Sequence, residues 1–127
     1  MKLRSQVEGL AIPATVAAVL DKDTIVTITA DKTVNKAGAN ATPLGRLAVP
    51  AKSSGGIGTV ETRCKELIEI KFSGNIAAGA LVKMAAADGT TGENVVAAWV
   101  SGTDGAERIF GVVWKGANGA VGEVLTF

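Results

Sequence analysis

Histidine and tyrosine are absent from this 127-residue sequence, and cysteine occurs once, at Cys64. Without histidine there is no His–Cys zinc site, no imidazole general base and no Ser–His or Cys–His nucleophile pair. One cysteine excludes an intramolecular disulfide framework. Aromatic residues make up only 4%, as 3 Phe and 2 Trp, so stacking platforms for single-stranded nucleic acid or sugar are scarce. Charge of either sign is hardly in excess: 13 Lys and Arg stand against 12 Asp and Glu. No basic footprint exists, and no nucleic-acid partner is expected. Long hydrophobic runs are missing too. The longest, Gly9 to Leu20, contains Pro13 and falls short of the roughly 20 residues of a membrane span. Lys2 and Arg4 make a basic start, but Gln6 and Glu8 interrupt it and no Ala-x-Ala site follows, so no signal peptide is expected.

What is present is small and apolar. The chain holds 21 Ala and 16 Gly, and apolar residues reach 47%, which suits a folded globular chain rather than a disordered one. Short apolar runs alternate with Gly, Asp, Asn and Ser. Thr24 to Ala30 places Val26, Ile28 and Ala30 on one face and Thr27 and Thr29 on the other, the pattern of a half-buried strand. From Val60 to Phe72 the residues Val60, Thr62, Cys64, Ile68, Ile70 and Phe72 share a face, and Glu66-Leu67 interrupts the alternation as a bulge would. A helical reading of 60–72 competes, because Val60, Cys64, Leu67 and Ile68 also have helical spacing. Further strands are expected over Ala11–Leu20, with Pro13 at its start or on an edge, and over Ala80–Met84, Asn94–Val100, Arg108–Trp114 and Val121–Phe127. Asp88-Gly89, Ser101–Gly105 and Gly116–Gly119 supply turn chemistry. Lys32–Gly45 and Pro50–Gly58 read as surface loops. The expected fold is all-β: a small Gly/Ala-rich antiparallel β-barrel or sandwich over residues 10–127, preceded by an extended N-terminal arm over 1–9. The segments starting at Asn75 and Asn118 echo one another as N-x-A-x-G followed by two apolar residues, a weak similarity in a chain of this composition.

Candidate chemistry is sparse. Gly55-Gly56-Ile57-Gly58 lacks the Gly-Lys-Ser/Thr continuation of a phosphate loop. Asp21-Lys22-Asp23 with Asp31 lacks the spacing of a calcium loop and reads as a turn. Lys83 reads as a solvent-facing strand lysine, and Cys64 as a small buried hydrophobe. The carboxylates Glu61, Glu66, Glu69, Glu93, Glu107 and Glu123 read as solvated strand faces. No catalytic set, metal site or cofactor site is expected. The runs around Trp99 and Trp114 are apolar on both faces, whereas a small antiparallel barrel exposes one face of each strand to water. That excess points to a covered outer surface and hence to assembly.

The order Ile76-Ala-Ala-Gly79-Ala-Leu-Val82-Lys83, then Ile109-Phe-Gly111-Val-Val-Trp114, then Gly122-Glu-Val-Leu-Thr-Phe127 resembles the small β-barrel head decoration, or capsid cement, proteins of tailed bacteriophages. Those carry I-x-x-G-x-x-V-K, a variable loop, I-x-G-V-x and a closing G-x-x-V-x-V strand. The resemblance covers the C-terminal part of the chain. It implies a non-enzymatic protein on the outer surface of the virion head that binds the major capsid protein, bridges its subunits and self-associates, often as trimers. Lys2, Leu3, Arg4 and Val7 of the arm, with Trp99 and Trp114, are the candidate partner contacts. A tail or fibre-base component, or a ligand- or carbohydrate-binding β-barrel, are the alternatives.

Overall fold

A computed structural model describes residues 10–62 and 65–126. All but one short turn of its regular structure is strand. In the first half, β1 (Ala11–Val16), β2 (Ile25–Ala30), β3 (Thr33–Lys36), β4 (Gly45–Val49) and β5 (Ile57–Thr62) close into a barrel in the ring order β1-β3-β2-β4-β5. In the second half the strands are β6 (Leu67–Phe72), β7 (Asn75–Ile76), β8 (Leu81–Met84), β9 (Val95–Ala98), β10 (Ile109–Lys115), β11 (Ala117–Asn118) and β12 (Val121–Thr126). Of these, β10-β12-β6-β9-β8 close a second barrel, and β7 pairs with β11 as a two-stranded ladder. Among the described residues no helix is long and apolar enough to cross a membrane.

The all-β expectation holds. The single barrel expected over 10–127 is instead two barrels, and the junction lies where one long strand was expected. Val60 to Phe72 divides into β5, ending at Thr62, and β6, beginning at Leu67. Alternation shows which face of a strand is buried, not which core buries it. Val60 belongs to one hydrophobic cluster, Ile68 and Phe72 to the other. The expected loop over Lys32–Gly45 also contains a strand. β3 is short and mostly polar, and its neighbours define it: Val34 lies parallel to Val16 of β1 and opposite Ile28 of β2. Pro13 lies inside β1 although a closed barrel has no edge strand. It is accommodated because β3 reaches only Thr15 and Val16, so that among the described residues one side of Pro13 has no ladder partner.

The two barrels are copies of one design. Strands β1 to β5 correspond in order to β6, β8, β9, β10 and β12. In each ring the first and third strands are the parallel pair. Registers match residue for residue: Ile12 lies opposite Val60 as Ile68 lies opposite Val124. Even the irregularity recurs, between Leu47 and Val49 in one barrel and between Val113 and Lys115 in the other. Asp23 and Gly79 occupy the same place before the second strand, with φ of 70° and 87°, and their N–H groups donate to the Leu47 and Val113 carbonyls, both at 2.8 Å. This is not the echo visible in the sequence. Asn75 and Asn118 lie opposite each other in the β7–β11 ladder; they are two strand starts that meet.

Closure of so small a ring brings backbones together at equivalent glycines. A Cβ at Gly45 would lie 2.0 Å from the Glu61 carbonyl oxygen, and one at Gly111 would lie 2.4 Å from that of Leu125. Gly58 and Gly122 repeat the pattern. A Cβ there would meet Val49 O at 2.8 Å and Val16 at 3.0 Å, or Lys115 O at 2.7 Å and Phe72 at 2.6 Å. Each obstructing atom is backbone or core side chain and cannot step aside cheaply. Gly45→Ala and Gly111→Ala are therefore expected to cost about 1–3 kcal/mol or more each, as overpacking does. Gly38→Ala, where a Cβ meets nothing within 4 Å, serves as the neutral control in thermal unfolding.

Candidate functional site

A cleft of about 540 Å³ lies between the barrels. The β1–β2 turn, β4 and β5 line it from one side, and β6 with the loop before β9 from the other. Its centre is Arg46, on the outward face of β4 because Leu47 beside it points into the core. Arg46 Nη1 lies 2.6 Å from Asp23 Oδ1 and Nη2 lies 2.8 Å from Glu61 Oε2. Across the junction, Nε and Nη2 donate to Glu66 Oε2 and Oε1, each at 3.2 Å. One guanidinium thus bridges three carboxylates and engages one of them with both oxygens. Burial works against the charge on Arg46, but the Glu66 and Asp23 carboxylates outweigh it and hold its pKa above the ordinary arginine value.

Other groups join the halves. Asn94, just before β9, accepts the Ile25 N–H at 2.9 Å through Oδ1, and its Nδ2 donates to the carbonyls of Ile25 at 3.2 Å and Ala37 at 3.4 Å. Its amide imitates a strand neighbour along the outside of β2. The Asn40 N–H donates to the Met84 carbonyl at 3.0 Å. Lys36 donates to the Gly92 carbonyl. Within the second barrel, Lys71 of β6 pairs with Asp88 of the loop between β8 and β9. Lys71, then the N–H groups of Thr91 and Thr90, hold the Asp88 carboxyl well below the usual carboxylate range.

The carboxylates expected on solvated faces divide. Glu66 is buried and paired, a correction to that reading: it lies at the join, where Arg46 compensates its charge. Glu69 and Glu123 lie opposite each other on β6 and β12, Glu93 lines the cleft, and Glu107 lies in a 3₁₀ turn over Ala106–Arg108. Lys83 is also corrected. It does not face solvent but reaches Asp104 at 2.8 Å, and that carboxylate also accepts the Val100 N–H at 2.8 Å and lies 3.5 Å from Arg108. A strand lysine beside a buried aspartate turns toward it. Trp99 is half-buried, its indole N–H donating to the Gly105 carbonyl at 3.0 Å. Trp114 is 69% exposed. Lys2, Leu3, Arg4, Val7 and Cys64 lie outside the described residues.

Arg46, Asn94 and Asp104 were not candidates from sequence. An arginine inside the apolar run from Leu44 to Val49 was the one available signal. Chemically, the cleft is a satisfied ion network. Its central carboxylates, Asp23, Glu61 and Glu66, are held by Arg46, and among the described residues no group of three or more acidic, cysteine or histidine side chains could hold a metal ion. The fold defines the class as a tandem of two five-stranded barrels. No known protein family matches the chain, and no curated protein matches it in sequence.

Two outcomes are expected from thermal unfolding. Arg46→Met leaves buried Glu66 without its cation and is expected to cost about 3–5 kcal/mol near neutral pH. Asp104 is held below its ordinary pKa by Lys83 first and the Val100 N–H second, against the effect of burial. Its stabilising contribution is therefore complete above the unfolded carboxylate pKa of about 3.9 and is lost as pH falls through the lower folded value. The stability gap between wild type and Asp104→Asn should narrow on acidification below about pH 4; a gap independent of pH would exclude the ion pair as its source.

Proposed function

We propose that this chain is a non-catalytic structural protein of a tailed-bacteriophage virion, a decoration or cement protein that binds the outside of the capsid and bridges subunits of the major capsid protein. The observation that carries the reading is Trp114. It is the largest exposed apolar side chain among the described residues, and it lies at the β10 irregularity, out of register with β12. The equivalent position in the first barrel is Ala48. A tryptophan held out from a rigid ladder is a costly surface group for an isolated protein and a favourable anchor for an interface. The motif order shared with capsid cement proteins adds the class of partner. Weak contacts suffice for such a role, because many copies engaging one shell multiply modest affinities.

A tail or fibre-base component would share these features. A ligand-binding reading draws on the inter-barrel cleft, but the carboxylates at its centre are already engaged by Arg46 and neither tryptophan lines it. Undecorated expanded capsids mixed with the purified chain are expected to melt at a higher temperature. Trp114→Ala is expected to weaken binding by about tenfold or more, the scale of an interface hot spot. Capsids whose melting is unchanged at saturating protein would reject the decoration role, and labelled chain found only on tails would assign it there.

A further inference from the structure

The two barrels meet through different surfaces. The first contributes its wall: Ile25, Arg46 and Glu61 lie side by side in one register row across β2, β4 and β5. The second contributes an end, the one where β6 begins and β8 finishes. There Ile25 and Ala37 of the first barrel pack into the second barrel's hydrophobic cluster, with Ala41 against it, and Arg46 reaches Glu66. Because the barrels are copies, each possesses both a wall and an end. Among the described residues only one of each is used within the molecule.

The unused end belongs to the first barrel. Its Leu10, Ile28 and Leu44 correspond to Glu66, Met84 and Phe110 of the covered end. Met84 is 0% exposed and Glu66 4%, whereas Ile28 is 63% and Leu10 70% exposed. A second pocket lies at this open end, lined by Thr27, Ile28, Thr42, Pro43, Leu44 and Thr62. The unused wall belongs to the second barrel. There Ile25, Arg46 and Glu61 are replaced by Leu81, Val112 and Leu125, and Leu67 extends the row, giving four aliphatic side chains in register across β8, β10, β12 and β6.

We infer that a second copy of this chain occupies each vacant surface: the wall of one molecule's second barrel docks on the end of the next molecule's first barrel and repeats the internal join. The chemistry of the substitutions selects this occupant. Inside the molecule Arg46 of the wall meets Glu66 of the end. At the vacant surfaces the same two positions are Val112 and Leu10. Charge faces charge within the chain, and aliphatic would face aliphatic between chains; both sides changed together. Had only one changed, a charge would be buried against an apolar neighbour, which is strongly disfavoured. The contact is heterologous, so it propagates as a chain of molecules or closes as a ring. It does not depend on the capsid reading, since it is a property of the free protein.

Sedimentation of the full-length protein tests it, with Ile28→Lys to block the end and Leu125→Lys to block the wall. Both positions are solvent-exposed, and folding of each variant is checked by circular dichroism and melting temperature. Wild type is expected to associate with increasing concentration, and each variant alone to remain monomeric. The two variants mixed are expected to form a one-to-one complex and nothing larger, because one intact end meets one intact wall. A wild type that stays monomeric, whether because the chain's own N-terminal residues cover the end or because another partner uses it, overturns the proposal. So does a variant that still associates alone, which would signal a wall-to-wall or end-to-end contact, or a mixture that fails to pair.

Discussion

At Gly45 the place where any other residue would carry its Cβ is 2.0 Å from the Glu61 carbonyl oxygen. The same encounter recurs at Gly111, and related ones at Gly58 and Gly122. Five strands enclose a narrow interior, and these strands close only where the backbone itself serves as packing surface. The rest follows from that narrowness. The first core is filled mainly by Val, Leu and Ala, for which Val16, Val26, Leu47 and Val60 suffice. The second accommodates Phe72 because Gly122 yields the space beside its ring. Gly45, Gly58, Gly111 and Gly122 are the compositional trace of two barrels this small.

One backbone design has been given two outer surfaces. Inward positions agree in kind: Val26 with Val82, Val34 with Val96, Val60 with Val124. Outward positions diverge. Arg46 and Glu61 become Val112 and Leu125, and Asp23 becomes Gly79. The ion network therefore belongs to the particular wall that is covered by the second barrel, not to the fold in general. Buried Glu66 and its guanidinium orient one barrel on the other. Such a pair adds little net stability over an apolar one, but it penalises any docking in which its members fail to meet. Asn94 acts in the same sense, since its three hydrogen bonds require one alignment along β2.

Much of the strand content was legible because the period-two signal is local. β8, β10 and β12 appear at nearly their expected limits, as do the turns at Asp88-Gly89 and Ser101–Gly105. β3 was not legible, since Thr33-Val34-Asn35-Lys36 has a single inward apolar residue and its strand state comes from both neighbours. The internal duplication was hidden for a related reason. Equivalent strands keep inward apolar character and turn geometry more widely than residue identity: Val16 matches Phe72, Leu20 matches Ile76, and Asp23 matches Gly79 through its positive φ. Of the candidate contacts, Trp99 is tied into its own turn while Trp114 stands clear. Nothing in their flanking sequence separates them, because a ladder irregularity decides the outcome.

The amino-acid sequence by itself determined that this protein is built of short strands and tight turns, with small inward side chains and no histidine-based chemistry. Those properties reside in composition and in residues adjacent along the chain. Only the tertiary structure decided that the strands close twice rather than once, that Arg46 gathers Asp23, Glu61 and Glu66, and that Lys83 turns to Asp104. Each of these joins residues distant in sequence. Ring closure and charge pairing depend on which backbones come within a few ångströms of each other, and alternation along one strand carries no record of that.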